Sequence, residues 1–141
     1  MQENYMQIAI QEAKKALSNN EVPIGCVLVK DGKIICKTHN TRKKSSLCID
    51  HAEIKCITKA EKKLKDWRLD GYEMYVTLKP CQMCTEVIKQ CRLSTVYYLA
   101  ESNFEKNKKK ETTNILKLNE SEQLEKDYLN SLKNFFKSMR K

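Results

Sequence analysis

An α/β fold is predicted by the way segments of helical and strand period follow one another along the 141 residues. Two observations carry most of that prediction. An apolar, β-branched stretch broken by Asp31-Gly32 reads as a β-hairpin. Further on, a strand, a helix and a strand follow in order with about 15 residues between the strands, which favours a parallel pair.

The elements can be taken in turn. Residues 2 to 18 place Tyr5, Ile8, Ala9, Ala13, Ala16 and Leu17 on one side of a helix, with Asn19 and Asn20 as terminators. Val22 to Val29 and Ile34-Ile35-Cys36 form the two arms of the hairpin. Residues 40 to 50 read as a basic polar loop. A helix is expected over 51 to 65, where Ile54, Ile57 and Leu64 recur at near-helical spacing. After Asp70-Gly71 come a strand at Glu73 to Leu78, a helix over 81 to 91 carrying Val87, Ile88 and Cys91, and a strand at Ser94 to Ala100. Residues 101 to 114, with Lys106, Lys108, Lys109 and Lys110 among polar neighbours, read as a loop. From Glu120 onward Leu124, Tyr128, Leu132, Phe135, Phe136 and Met139 recur every three or four residues, an amphipathic helix.

A chain of 141 residues with 40% hydrophobic content fits one domain, expected over 1–141. No apolar run approaches the roughly 20 residues needed to span a bilayer, and the start lacks the basic-then-apolar order of a signal peptide. A cytoplasmic protein with no membrane association is expected. Seven cysteines, an odd number, then point to reduced thiols. Cys26, Cys36, Cys48, Cys56 and Cys91 are expected as small core or half-buried hydrophobes. The net charge of +9 is compatible with a polyanionic partner. It is spread evenly along the chain, however, and lysine far outnumbers arginine, so solubility explains it equally well.

Chemistry concentrates in two short runs, His51-Ala52-Glu53 and Pro80-Cys81-Gln82-Met83-Cys84. Cys-x-x-Cys alone fits a redox pair or a structural zinc knuckle. With His51 it supplies three zinc ligands and leaves a fourth tetrahedral position for water, the arrangement of a catalytic zinc ion. Glu53 need not touch the metal and is placed to move protons. Both ligand sets fall at helix N-termini, where the backbone dipole favours thiolate. Phe135 and Phe136, beside Arg140, have two readings: core packing at helical spacing, or rings presented to a base in an RNA groove.

These runs, with Glu21-Val22-Pro23-Ile24-Gly25, His39-Asn40, Trp67-Arg68-Leu69 and the terminal Phe135 to Arg140, make the chain resemble the bacterial tRNA-specific adenosine deaminases of the cytidine-deaminase-like superfamily. The resemblance covers nearly the whole sequence. It implies a three-layer α/β/α fold around a mixed five-stranded sheet, one Zn2+ per subunit, a homodimer, and hydrolysis of the wobble adenosine of a tRNA anticodon loop to inosine. It further implies zinc ligation by His51, Cys81 and Cys84, proton transfer by Glu53, and recognition of the flipped base by Asn40. The chain departs from that family at Asp50, Lys79, Thr85 and Glu86, close to the metal residues. Two other functions use the same residues: deamination of a free base or nucleotide such as cytidine, deoxycytidylate or guanine, and a catalytically silent zinc-containing RNA-binding subunit.

Overall fold

A computed structural model describes residues 4–101, 114–119 and 122–139. Helix α1, Tyr5–Ser18, is capped by Asn4, whose side-chain oxygen accepts the Gln7 N–H at 3.1 Å. It ends through Asn19 and a left-handed Asn20. Strands β1, Gly25–Lys30, and β2, Lys33–His39, form the expected hairpin. Asp31 and Gly32 both have positive φ, which twists a two-residue turn to match its strands. Helix α2, Arg42–Ser45, is a single turn inside the segment expected to be loop. Helix α3, Ala52–Leu64, leads through Trp67, 55% exposed, and the fully buried Leu69 to β3, Tyr72–Leu78. Helix α4, Gln82–Gln90, then joins β3 to β4, Thr95–Ala100. A short β5, Ile115–Lys117, and helix α5, Glu122–Met139, complete the described structure.

The sheet order is β2-β1-β3-β4-β5. The β1 strand pairs antiparallel with β2 and β3, whereas β3–β4 and β4–β5 are parallel, so the sheet is mixed and five-stranded as the resemblance implies. Strand alternation sends side chains to two cores. On one face Cys26, Leu28, Met74, Val76 and Val96 pack under Ala52, Cys56, Ile57 and Ala60 of α3 and Ile88 of α4. On the other, Val27, Val29 and Leu99 meet Met6, Ala9 and Ala13 of α1 and Tyr128 of α5. The layers are therefore helix, sheet, helix. At Gly25 the sheet comes so close to α1 that a Cβ would lie 1.8 Å from the Ala9 carbonyl oxygen, a contact that only glycine permits.

The expected cysteine burial holds for Cys26, Cys56 and Cys91, and Cys36 is half-buried. Cys48 departs from it: it is exposed, because it lies on the segment before α3 that stands off the core. All seven cysteines are free. No described helix is long and apolar enough to cross a membrane.

Candidate metal centre

The centre forms where the N-termini of α3 and α4 meet at one end of β3. His51 is the N-cap of α3 and Cys81 the N-cap of α4, both with extended backbone. The His51 ring makes no capping bond to its own helix, and the Cys81 sulfur stays over the first turn of α4, facing the Cys84 backbone N–H. Cys84 lies one turn into α4 and is fully buried. The His51 Nδ1 atom sits 3.8 Å from Cys81 Sγ and 3.4 Å from Cys84 Sγ, and the three ligand atoms all lie within 4.8 Å of one another. Tetrahedral zinc with ordinary Zn–N and Zn–S bonds would hold such atoms about 3.6 Å apart. The donor set and its spacing fit zinc.

Protonation is arranged for metal capture. A hydrogen bond from Cys84, assisted by His51 and by the Cys84 backbone N–H, holds the Cys81 thiol down to about 4 against the opposing effect of burial. Cys81 is thus a thiolate at neutral pH. The same bond pushes Cys84 up, because Cys84 is its donor, and the Cys81 thiolate raises the His51 imidazole. Zinc must therefore displace the Cys84 proton as it binds, and the raised His51 basicity makes its capture compete with protons as well.

Glu53 stands in the first turn of α3, only 3% exposed. Its Oε1 is buried with no hydrogen-bond partner among the protein atoms, an orphan acceptor of the kind that serves a bound reactant or water. Burial pushes its carboxyl up to about 7, with the Cys81 thiolate adding to the rise and its own backbone N–H and the His51 charge opposing it. A carboxyl near neutrality can both take and give a proton.

Asn40 is buried beside this corner. Its Oδ1 accepts the Ala52 N–H at 3.3 Å, between the ligand His51 and Glu53, and its own N–H donates to the Ile24 carbonyl. The side-chain NH2 group is then the part of the amide left to meet a ligand. Structure thus brings His51, Glu53, Cys81, Cys84 and Asn40 together. Phe135 is 8% exposed and packs edge-on against half-buried Phe136 with centroids 5.5 Å apart, which is the core-packing alternative for Phe135. Arg140 and most of the lysine-rich 101–114 segment lie outside the described residues.

Several residues that support the site gave no local signal. Thr38 donates to the Ala52 carbonyl at 2.6 Å and steadies the start of α3. Behind the sheet, Gly25 N–H donates to Thr77 Oγ1, Thr77 donates to Tyr128 Oη, and Tyr128 donates to the Pro23 carbonyl. Such partners are up to 105 positions apart, beyond the reach of any periodicity. Of the residues that depart from the family pattern, Thr85 turns its hydroxyl onto the Pro80 carbonyl at 3.4 Å and Lys79 places Nζ 5.8 Å from the Tyr98 ring centroid.

Residues 1–100 match the family model of the cytidine and deoxycytidylate deaminase zinc-binding region. The chain is 44% identical over 98 residues to the tRNA-specific adenosine deaminase of Streptococcus pyogenes serotype M18 (strain MGAS8232), a match covering 70% of this chain and 62% of that protein. It is 48% identical over 96 residues to the tRNA-specific adenosine deaminase of Bacillus subtilis (strain 168), covering 68% and 60%. The chain thus spans less than two thirds of the length of these relatives. Among solved structures, one from work on A-to-I editing by tRNA:A34 deaminases at the wobble position of transfer RNA superposes with a TM-score of 0.73 at 33% identity, covering 81% of this chain and 96% of the other. Guanine deaminase from Bacillus subtilis superposes with a TM-score of 0.66 at 28% identity, covering 92% of each chain.

Proposed function

The chain belongs to the cytidine and deoxycytidylate deaminase zinc-binding family, and we propose that it converts adenosine to inosine at the wobble position of a tRNA anticodon loop by hydrolytic deamination. The observation that carries the reaction type is the buried, unpartnered Oε1 of Glu53 beside a convergent His51, Cys81 and Cys84. The base and the RNA are supported by the two tRNA-specific relatives at 44% and 48% identity.

His51, Cys81 and Cys84 would hold zinc, which when bound would supply the Lewis acidity that brings the pKa of water to near neutrality. Glu53 would move two protons in turn at Oε1: the first, from the attacking water, goes to the ring nitrogen, and the second, from the hydroxyl then carried by the ring carbon, goes to the amine as it departs; a carboxyl poised near 7 gives both transfers a small driving force. Asn40, held by Ala52 and Ile24, offers its NH2 to an acceptor on the purine edge. A base must leave the stacked loop to reach this corner, and an already unpaired anticodon nucleotide does so at small cost. Further substrate contact is assigned to Phe136 of α5 and, from its place in the sequence alone, to Arg140. The working form proposed is a cytoplasmic homodimer; exposed apolar Leu47 and Ile49, on the segment leading into His51, are surface that a second subunit would cover.

The zinc-loaded chain should be incubated with unmodified tRNA carrying a wobble adenosine and, separately, with guanine, cytidine and deoxycytidylate. Inosine confined to the tRNA wobble position is expected. Turnover of guanine or a pyrimidine alone would transfer the site to a free-base or nucleotide deaminase, and silence with zinc bound would transfer it to a non-catalytic subunit.

A further inference from the structure

Glu21 opens the Glu21-Val22-Pro23-Ile24-Gly25 run and takes no part in the chemistry above. It is a buried acid, 4% exposed, lying 22 and 23 positions before the groups it binds. One carboxylate oxygen accepts the Lys43 N–H at 3.0 Å and the other accepts the Lys44 N–H at 2.8 Å. Those amides belong to the first turn of α2, whose own N-cap, Thr41, makes no side-chain capping bond. A four-residue helix fixes more backbone torsions than its hydrogen bonds repay. Its leading N–H groups would otherwise be orphans. A remote carboxylate therefore supplies the cap that the local sequence lacks, and its charge suits a helix N-terminus.

The turn so held is the chain's route between Asn40 and His51. Its ends are tied: Asn40 N–H donates to the Ile24 carbonyl, and Thr41 N–H to the Asp50 carbonyl, both at 3.1 Å. Along it run three consecutive cations, Arg42, Lys43 and Lys44, of which Arg42 lies close enough for its charge to be felt at His51. Cations serve a phosphate-bearing substrate best when their backbone is already ordered, since ordering deferred to binding is subtracted from affinity.

We propose that Glu21 is a positioning residue: it clasps the strap between Asn40 and His51, presents Arg42, Lys43 and Lys44 to a polyanionic substrate, and thereby sets substrate capture without governing zinc binding or the hydrolytic step. The proposal rests on the RNA deaminase reading for the nature of that substrate. It is tested with zinc-loaded Glu21→Ala and Glu21→Gln variants of the full chain. Amide hydrogen exchange at Lys43 and Lys44 should quicken and zinc per chain should stay at the wild-type ratio. On tRNA bearing a wobble adenosine, KM should rise about tenfold in Glu21→Ala, the effect of losing bonds to a charged acceptor. Glu21→Gln, which keeps one acceptor oxygen, should show a smaller rise, and kcat in both should stay within roughly threefold of wild type. Unchanged exchange at the two amides, a fall in kcat at constant KM, or zinc loss in parallel with a lower Tm would each overturn it. If wild type itself makes no inosine, the substrate reading fails separately. The clasp is then judged by the exchange data and by fluorescence-anisotropy binding of the same tRNA, where equal affinity of wild type and variant would refute it.

Discussion

The sheet has one face covered by α3 and α4 and another covered by α1 and α5, and the two are packed alike but equipped differently. Both bury alternate residues of the same strands, Cys26 and Leu28 on one side and Val27 and Val29 on the other. The α3/α4 face turns two helix N-termini, with their N-cap His51 and Cys81, toward a common point. The α1/α5 face brings together long apolar flanks instead, with Pro23, Ile10, Leu17 and Leu124 around an apolar hollow. Chemistry gathers where helix starts converge, because backbone N–H groups there favour anionic ligands. Packing alone creates no such point.

If that division of labour is right, the largest effect should come from a change that leaves both cores intact. Glu53→Gln should retain zinc and fold and lose about 10²–10⁴-fold in the single-turnover rate of deamination, the range for removal of a general acid–base group. Retained zinc is read by metal analysis and the rate by quenched-flow sampling of inosine. A rate near wild type would place the proton transfer elsewhere.

The opposite face can be broken in turn. Met6 is completely buried in the α1/α5 core. Met6→Ala should lower unfolding free energy by about 2–5 kcal/mol in a denaturant titration while zinc affinity and kcat hold at a temperature where the variant is folded. A large loss of kcat in the folded variant would show that the faces are coupled.

The smallest effect tests the preset ligand. In zinc-free protein lacking the exposed thiol through Cys48→Ser, Cys81 has its pKa lowered to about 4, so its thiolate is already complete at pH 6. Its alkylation by iodoacetamide, located by mass spectrometry, should therefore change little between pH 6 and 8. An ordinary thiol would slow about tenfold per pH unit over that range. Bound zinc should protect it.

The sequence and the molecule agree best where the information is local. His51, Glu53, Cys81 and Cys84 lie within two runs of five residues or fewer, and their helices follow from the apolar period beside them. The hairpin was legible from Asp31-Gly32 and the parallel pair from the spacing of its strands. The β5 strand was not, because Ile115-Leu116-Lys117 is too short to show alternation and gains its form from β4. Helix α2 was hidden for a related reason: a polar turn capped by Glu21 from 22 residues upstream has no signature of its own. Phe135 shows the limit of a helical stripe, since period alone does not separate a packed ring from a presented one, whereas its burial does.

The reaction proposed for the metal corner is hydrolytic deamination of adenosine. Its most direct test is a single turnover of the zinc-loaded chain on an anticodon stem-loop with a wobble adenosine in 18O-enriched water, followed by mass spectrometry of the released nucleosides. Inosine carrying one labelled oxygen on the base is predicted, with an equal amount of ammonia. Unlabelled inosine, or no inosine from a chain shown to hold zinc, would contradict the account.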